Sequence, residues 1–270
     1  MATFTTSDGA RIYYEETGEG PALIMVHGWT ANMAFYDRQV EALSQKYRLI
    51  RFDLRGHGKS DRGEVTERGL NLNTLGRDLA ELMDALGLEK ASLMGWSMGV
   101  MVIWDYIQQF GCDRIDKLFL IDMTPKNIVD DEWPFGLMGT ETFQSSEGFA
   151  AFAASDWPTA ASMFVPGMFA NGQAEDEELL AWAIGQSQDN VAHIMVFLQL
   201  SMSVADYRDV LGGITVPTLL LYGENSVMYG AAVGEKVYEM IPGSKLVVLP
   251  GGHIMQMEHP EEFNEAVLAF

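Results

Sequence analysis

The chain has 270 residues, 48% of them hydrophobic and 20% charged, and a formal net charge of −21. That size and composition suit one large α/β domain, or a domain with an inserted subdomain. The acidic balance excludes a basic footprint for nucleic acid or an anionic membrane, disfavours polyanionic substrates, and otherwise serves solubility.

The opening MATFTTSDGARIYYEETGEG alternates polar and apolar residues, with no apolar stretch of the kind a secretory leader carries. It predicts two short strands, residues 3–6 and 11–16, with Ser7-Asp8-Gly9-Ala10 as the turn. ALIMVHG (22–28) is nearly continuous in apolar residues, as in a parallel strand buried on both faces. Tyr36, Val40, Leu43 and Tyr47 follow at helical spacing, and YRLIRFD (47–53) reads as the next strand. Leu72, Leu75, Leu79, Leu82, Met83 and Leu86 form a helical stripe that Gly87 stops. ASLMGW (91–96) is a strand, MGVMVIWDYIQQF a helix, and KLFLID (117–122) a strand. Cys112, the one cysteine, falls at that helix's end. It rules out an internal disulfide, fits a reducing cytoplasm, and reads as an incidental or buried thiol rather than a nucleophile.

After Asp122 the rhythm breaks. Residues 125–206 carry helical fragments rich in Phe, Met, Trp and Ala, interrupted by Pro134, Pro158 and Pro166. Strand rhythm returns with PTLLLYG (217–223) and KLVVLPG (245–251). PEEFNEAVLAF (260–270) is a helix still open at Phe270, which suits a native chain that continues. No apolar run approaches the ~18 residues of a membrane-spanning helix. The alternation predicts an α/β fold: a mostly parallel central sheet flanked by helices, with a helical insertion between two neighbouring strands.

The chemistry-bearing residues sit at strand ends. GWSMG (95–99) lies between a predicted strand and a predicted helix, the context of a nucleophile elbow. There a serine stands on a strained turn, glycines on either side remove colliding side chains, and the helix aims its N-terminal amides at developing negative charge. Ser97 is the candidate nucleophile. GGHIMQMEHP places His253 after the last predicted strand, ahead of a helix. A general base needs a pKa near working pH and reach to the hydroxyl, and His253 is the candidate. His27 reads as a brace for its loop, His57 and His259 as structural, and His193 as a surface or packing residue. No metal-ligand spacing, phosphate-cradling loop or nucleotide fingerprint occurs. Gly-Glu-Gly near Gly18 lacks the continuing glycine and helix, so no cofactor and no metal are expected.

HGW (27–29), DLRGHGKSD (53–61), GWSMG and GGH (251–253), in that order, make the whole chain resemble the α/β-hydrolase superfamily, its capped esterase and non-haem peroxidase-like branch. The resemblance implies a core of residues 1–124 and 207–270, with residues 125–206 as a helical cap after the sixth strand. It implies backbone N–H groups of Trp29 and Met98 as the oxyanion hole. It also implies an acid in a G-x-x-D pattern after the strand TLLLYG, where this chain has Ser226. Asp122, at the end of LFLID, is the substitute that some members of the superfamily use, one strand closer to the nucleophile. Glu224 competes from the expected loop, two positions early. A dyad without an acid, or a carboxylate from the insertion, remains open.

Aromatic and methionine residues crowd the insertion, among them Phe149, Trp157, Met163, Phe164 and Met202. Part of them hold the cap to the core; together they suggest an apolar substrate of small to medium size. The expectation is a cytoplasmic, cofactor-free serine hydrolase of carboxylic esters, with a small-molecule ester as its partner. Lactonase, perhydrolase and carbon–carbon hydrolase activities share the constellation. A haloalkane dehalogenase is disfavoured, since its nucleophile is an aspartate. A weakly catalytic ligand-binding relative is the rival class.

Overall fold

The apolar runs become the strands of one eight-stranded sheet in a computed structural model that describes residues 2–63 and 70–270. The strands are β1 (Ala2–Thr5), β2 (Arg11–Thr17), β3 (Ala22–Val26), β4 (Arg48–Phe52), β5 (Ala91–Trp96), β6 (Ile115–Ile121), β7 (Thr218–Gly223) and β8 (Lys245–Leu249). Their order is β1-β2-β4-β3-β5-β6-β7-β8. β2 pairs antiparallel with β1 and β4, and the other pairings are parallel. Every residue of β3, β5 and β7 is buried, which explains their unbroken apolar sequences. β1, at an edge, alternates.

The helices are α1 (Asp37–Leu43), α2 (Leu72–Ala85), α3 (Met98–Phe110), α4 (Phe143–Ser155), α5 (Trp157–Phe164), α6 (Glu177–Gln188), α7 (Ala192–Val204), α8 (Arg208–Leu211), α9 (Gly230–Met240), α10 (Met255–Glu258) and α11 (Pro260–Ala269). α2 packs on α3, and α1 on α11. α2 stops where expected: Gly87 takes φ +63°, the left-handed conformation that ends helices. No described helix is long and apolar enough to cross a membrane.

Two departures from the sequence pattern have physical causes. The spacing from Tyr36 to Tyr47 overshoots: a 3-10 turn (Met33–Tyr36) precedes α1, which ends at Leu43, and buried Tyr47 instead leads into β4. α9 was not visible in the pattern, because Gly230 and Gly234 interrupt its apolar positions. A Cβ at Gly234 would stand 2.8 Å from the Tyr222 ring, so a glycine there lets α9 lie against β7.

The register aligns the carboxyl ends of three strands. Trp96 of β5 pairs with Ile121 of β6, and Ile121 pairs with Leu221 of β7. Residues that leave β5 and β6 at this edge emerge side by side, since parallel neighbours lie about 4.8 Å apart. Between β6 and β7, the described chain holds helices α4–α8, three 3-10 turns and an isolated Asp130–Trp133 bridge, but no strand.

Candidate active site

Ser97 is the residue between β5 and α3, and it takes φ 56°, ψ −127°. A non-glycine residue there is strained by roughly 1–3 kcal/mol, so the surroundings must hold it. They do so through two close approaches that exclude any side chain. A Cβ on Gly95 would stand 2.7 Å from the Gly99 backbone, and one on Gly99 only 2.1 Å from Val26 O. The Ser97 N–H donates to Ile121 O at 3.0 Å, tying the turn to β6. The hydroxyl lines a cavity and has no hydrogen-bond partner among the described residues.

Asp122 leaves β6 as Ser97 leaves β5. It is fully buried, with φ 45°, and its N–H donates to Leu221 O at 2.9 Å. Three donors converge on its carboxylate. Gly223 N–H reaches Oδ1 at 3.2 Å, the Ser226 hydroxyl reaches Oδ2 at 2.7 Å, and His253 Nδ1 reaches Oδ2 at 2.6 Å. A carboxylate only accepts, so Nδ1 carries a proton, and in the neutral form of the ring the lone pair is then on Nε2.

His253 is delivered by the loop after β8 and is 1% exposed. Its carbonyl accepts from the Trp96 indole at 2.7 Å, and the two rings lie 5.4 Å apart, so the loop is fastened to the strand that carries Ser97. Sequence reasoning missed the residue that folds this loop. Glu258 accepts from Gly252 N–H at 2.7 Å and from Ala170 N–H at 3.0 Å, joining the histidine loop to the helical segment. Its only signal was a carboxylate five residues after the histidine, in the quoted GGHIMQMEHP. Tyr229 was missed as well. Its ring lies 5.5 Å from that of His253 and its hydroxyl donates to Asn127 at 3.1 Å. Burial, then the Asp122 charge, pushes its phenol well above the ordinary value.

The structure thus brings Ser97, Asp122 and His253 to one edge of the sheet. Glu224, the competing acid, stands apart: it is solvent-exposed, and among the described residues its carboxylate makes no hydrogen bond to His253, whose Nδ1 Asp122 occupies. Ser226, at the position that suggested a missing acid, supports Asp122 instead.

Met98 follows Ser97 in the chain, and Trp29 lines the same cavity as Ser97. Among the described residues neither backbone N–H donates a hydrogen bond, as expected for Met98 at the start of α3. The Trp29 indole donates to Met195 O at 3.0 Å, and its ring meets Phe164 at 5.0 Å and Trp157 at 5.8 Å. This side chain therefore joins the loop after β3 to the helical segment. His27 fixes that loop: its Nδ1 donates to Gly28 O at 2.8 Å and its Nε2 accepts from Leu54 N–H at 2.9 Å. Burial holds His27 below the usual imidazole pKa, and His57 further below. Both are therefore neutral and structural.

The cavity over Ser97 encloses about 280 Å³. Leu137, Met138, Phe149, Met163, Phe164, Met202 and Met228 supply most of its apolar wall, and all but Met228 lie between β6 and β7. An apolar chamber with one unpartnered hydroxyl, at the sheet edge that also carries the His253–Asp122 pair and two backbone N–H groups without partners, is suited to attack on a carbonyl.

Residues 21–260 match the family described as the alpha/beta hydrolase fold. The chain belongs to that family. As an α/β hydrolase it is similar over its whole length to named relatives. It is 29% identical over 258 residues to a pimeloyl-[acyl-carrier protein] methyl ester esterase of Nitrosomonas europaea, covering 94% of this chain and 97% of that one. It is 31% identical over 278 residues to a non-heme chloroperoxidase of Streptomyces lividans, covering 100% and 99%. An esterase from Exiguobacterium antarcticum superposes with a TM-score of 0.91 at 30% identity, covering 99% of this α/β hydrolase and 97% of that chain.

Proposed function

We propose that the protein is a serine hydrolase of carboxylic esters with small to medium apolar chains. The observation that carries this reading is the buried 2.6 Å contact between His253 and Asp122 at the strand edge from which the strained Ser97 emerges. Ser97 Oγ attacks the ester carbonyl while His253 Nε2 takes its proton. Asp122 keeps the imidazole in that tautomer and stabilises the imidazolium that forms. The N–H groups of Trp29 and Met98 receive the oxyanion, each worth roughly 2.7–4 kcal/mol in such sites. His253 returns the proton to the departing alcohol. Water then enters, gives a proton to His253 and clears the acyl group from Ser97. Residues 125–206 act as a cap on a core of residues 1–124 and 207–270. Support comes from the cavity wall, which that segment largely supplies.

The test is hydrolysis of p-nitrophenyl butyrate together with labelling by a fluorophosphonate. Wild type is expected to hydrolyse the ester and to be labelled, and Ser97→Ala to do neither. Equal labelling of both proteins would refute the assignment, and the absence of burst and labelling in wild type would favour a ligand-binding role.

A further inference from the structure

The cavity over Ser97 carries a polar pair that the proposed acyl transfer does not use. Asn127, on the chain that leaves β6, and Tyr229, on the chain between β7 and α9, both line it. They are 6% and 8% exposed. The Tyr229 hydroxyl donates to Asn127 Oδ1 at 3.1 Å, and among the described residues neither side chain makes another hydrogen bond. The pair holds three donor hydrogens, two on the amide and one on the phenol, and the bond between them uses one. Exchanging the amide O and N would make Nδ2 the donor to the phenol oxygen and leave the phenol proton free, so two donor hydrogens remain in either orientation. Nδ2 is not among the enclosed side-chain atoms that lack a partner, so it keeps surface through which a ligand can reach it.

Both residues are held from behind. Asn127 O accepts from Leu137 N–H at 2.9 Å, and a Cβ on Gly136 would stand 2.2 Å from that oxygen, so the segment closes on a glycine. The Tyr229 ring packs 5.5 Å from that of His253, and its N–H donates to the Ser226 hydroxyl at 3.4 Å. The amide is therefore preset before a ligand arrives. The other polar side chains of the wall offer no comparable donor: Ser146, Gln199 and Ser203 are bonded to one another, and Glu141 is an acceptor. Unpaired donors in an apolar chamber are unfavourable, and a carbonyl oxygen, with two lone pairs, can take both. Burial, then the charges of Asp122 and Glu141, push the Tyr229 phenol up. Those two charges would also repel an anionic group, so the acceptor that fits is uncharged.

We propose that Asn127, held by Tyr229, is a specificity-determining residue that receives an uncharged carbonyl oxygen of the substrate other than the one attacked. The favoured esters then carry a second acceptor, such as a ketone, in an otherwise apolar acyl or alcohol chain. The inference rests on the hydrolytic reading above and names the substrate class of that same site.

The experiment uses the full chain and two ester series followed by pH-stat. In the acyl series, methyl 4-oxopentanoate, 5-oxohexanoate and 6-oxoheptanoate are compared with methyl pentanoate, hexanoate and heptanoate, and with monomethyl adipate. In the alcohol series, 4-oxopentyl and 5-oxohexyl acetates are compared with pentyl and hexyl acetates. In one series, wild type is expected to give its best oxo ester a higher kcat/KM than the alkyl counterpart. Asn127→Leu, which keeps the size of the side chain and removes its donors, is expected to lower that oxo-to-alkyl ratio by roughly 5- to 30-fold, the range for one or two hydrogen bonds between uncharged groups. Tyr229→Phe, which frees the amide to turn, is expected to lower it by a smaller factor. A merely structural role would slow both classes of ester together and leave the ratio unchanged. No oxo preference in either series, a ratio that the folded variants keep, or monomethyl adipate overtaking the oxo esters overturns the proposal. So does a fluorophosphonate-labelled wild type that cleaves none of these esters. An unlabelled wild type overturns the hydrolytic reading on which the proposal stands.

Discussion

Asp122→Asn isolates the group on which the proposed mechanism turns. The substitution keeps the shape of the side chain and removes its charge. The new amide can be placed in two ways. If its oxygen stays at Oδ1 to accept Gly223 N–H, now at 3.2 Å, its NH2 replaces Oδ2 and faces His253 Nδ1. The imidazole must then offer Nδ1 as the acceptor and carry its proton on Nε2, where it cannot take the proton of Ser97. If the amide flips, its NH2 points at the Gly223 N–H, two donors meet in a fully buried site, and no charge remains to stabilise an imidazolium. Either way the expected loss in kcat is about 10⁴-fold, about 5 kcal/mol of transition-state stabilisation. The assay is p-nitrophenyl butyrate turnover, with the rate of fluorophosphonate labelling as a second readout and circular dichroism as the check on folding. A folded Asp122→Asn protein within ten-fold of wild type would refute the reasoning, and a crippled Glu224→Gln beside it would relocate the acid.

Ser226→Ala removes one of three donors to Asp122 and leaves the contact with His253, so kcat is expected to fall about ten-fold or less; a loss as large as that of Asp122→Asn would make Ser226 more than a support. Asp78→Ala leaves the 1%-exposed Arg55 without the carboxylate that meets it at 2.6 and 2.8 Å, and its remaining charged partner Asp8 is half exposed. Removing one member of such a buried pair is expected to cost about 3–5 kcal/mol in urea unfolding, and a change under about 1 kcal/mol would show that Asp8 suffices. Gly99→Ala forces a Cβ to 2.1 Å from Val26 O. It is expected to abolish labelling of Ser97 or folding itself, whereas Gly212→Ala, with nothing within 4 Å, is expected to leave both intact. Normal labelling of Gly99→Ala would mean that the elbow has room the structure does not show.

What could be read in advance divides by how far along the chain each feature reaches. The buried strands were legible because a strand covered on both faces must be apolar throughout. Ser97 and His253 were legible because each sits in a short run of glycines at a strand end, and such local geometry leaves a local trace. Asp122 was legible only through an assumed strand order, since the sequence distance from Asp122 to His253 says nothing of the 2.6 Å between them. Glu258 left no trace of that kind. It is a carboxylate in the short helix α10, unremarkable alone. Its role arises only when packing sets that helix against the N–H groups of Gly252 and Ala170. This is also why the catalytic chemistry of an α/β hydrolase can be inferred from its strand ends while its choice of substrate cannot. The strand ends are fixed by a sheet whose register is specified residue by residue. The substrate chamber is walled by helices whose lining residues come together only through packing, so its selectivity leaves no local pattern in the sequence.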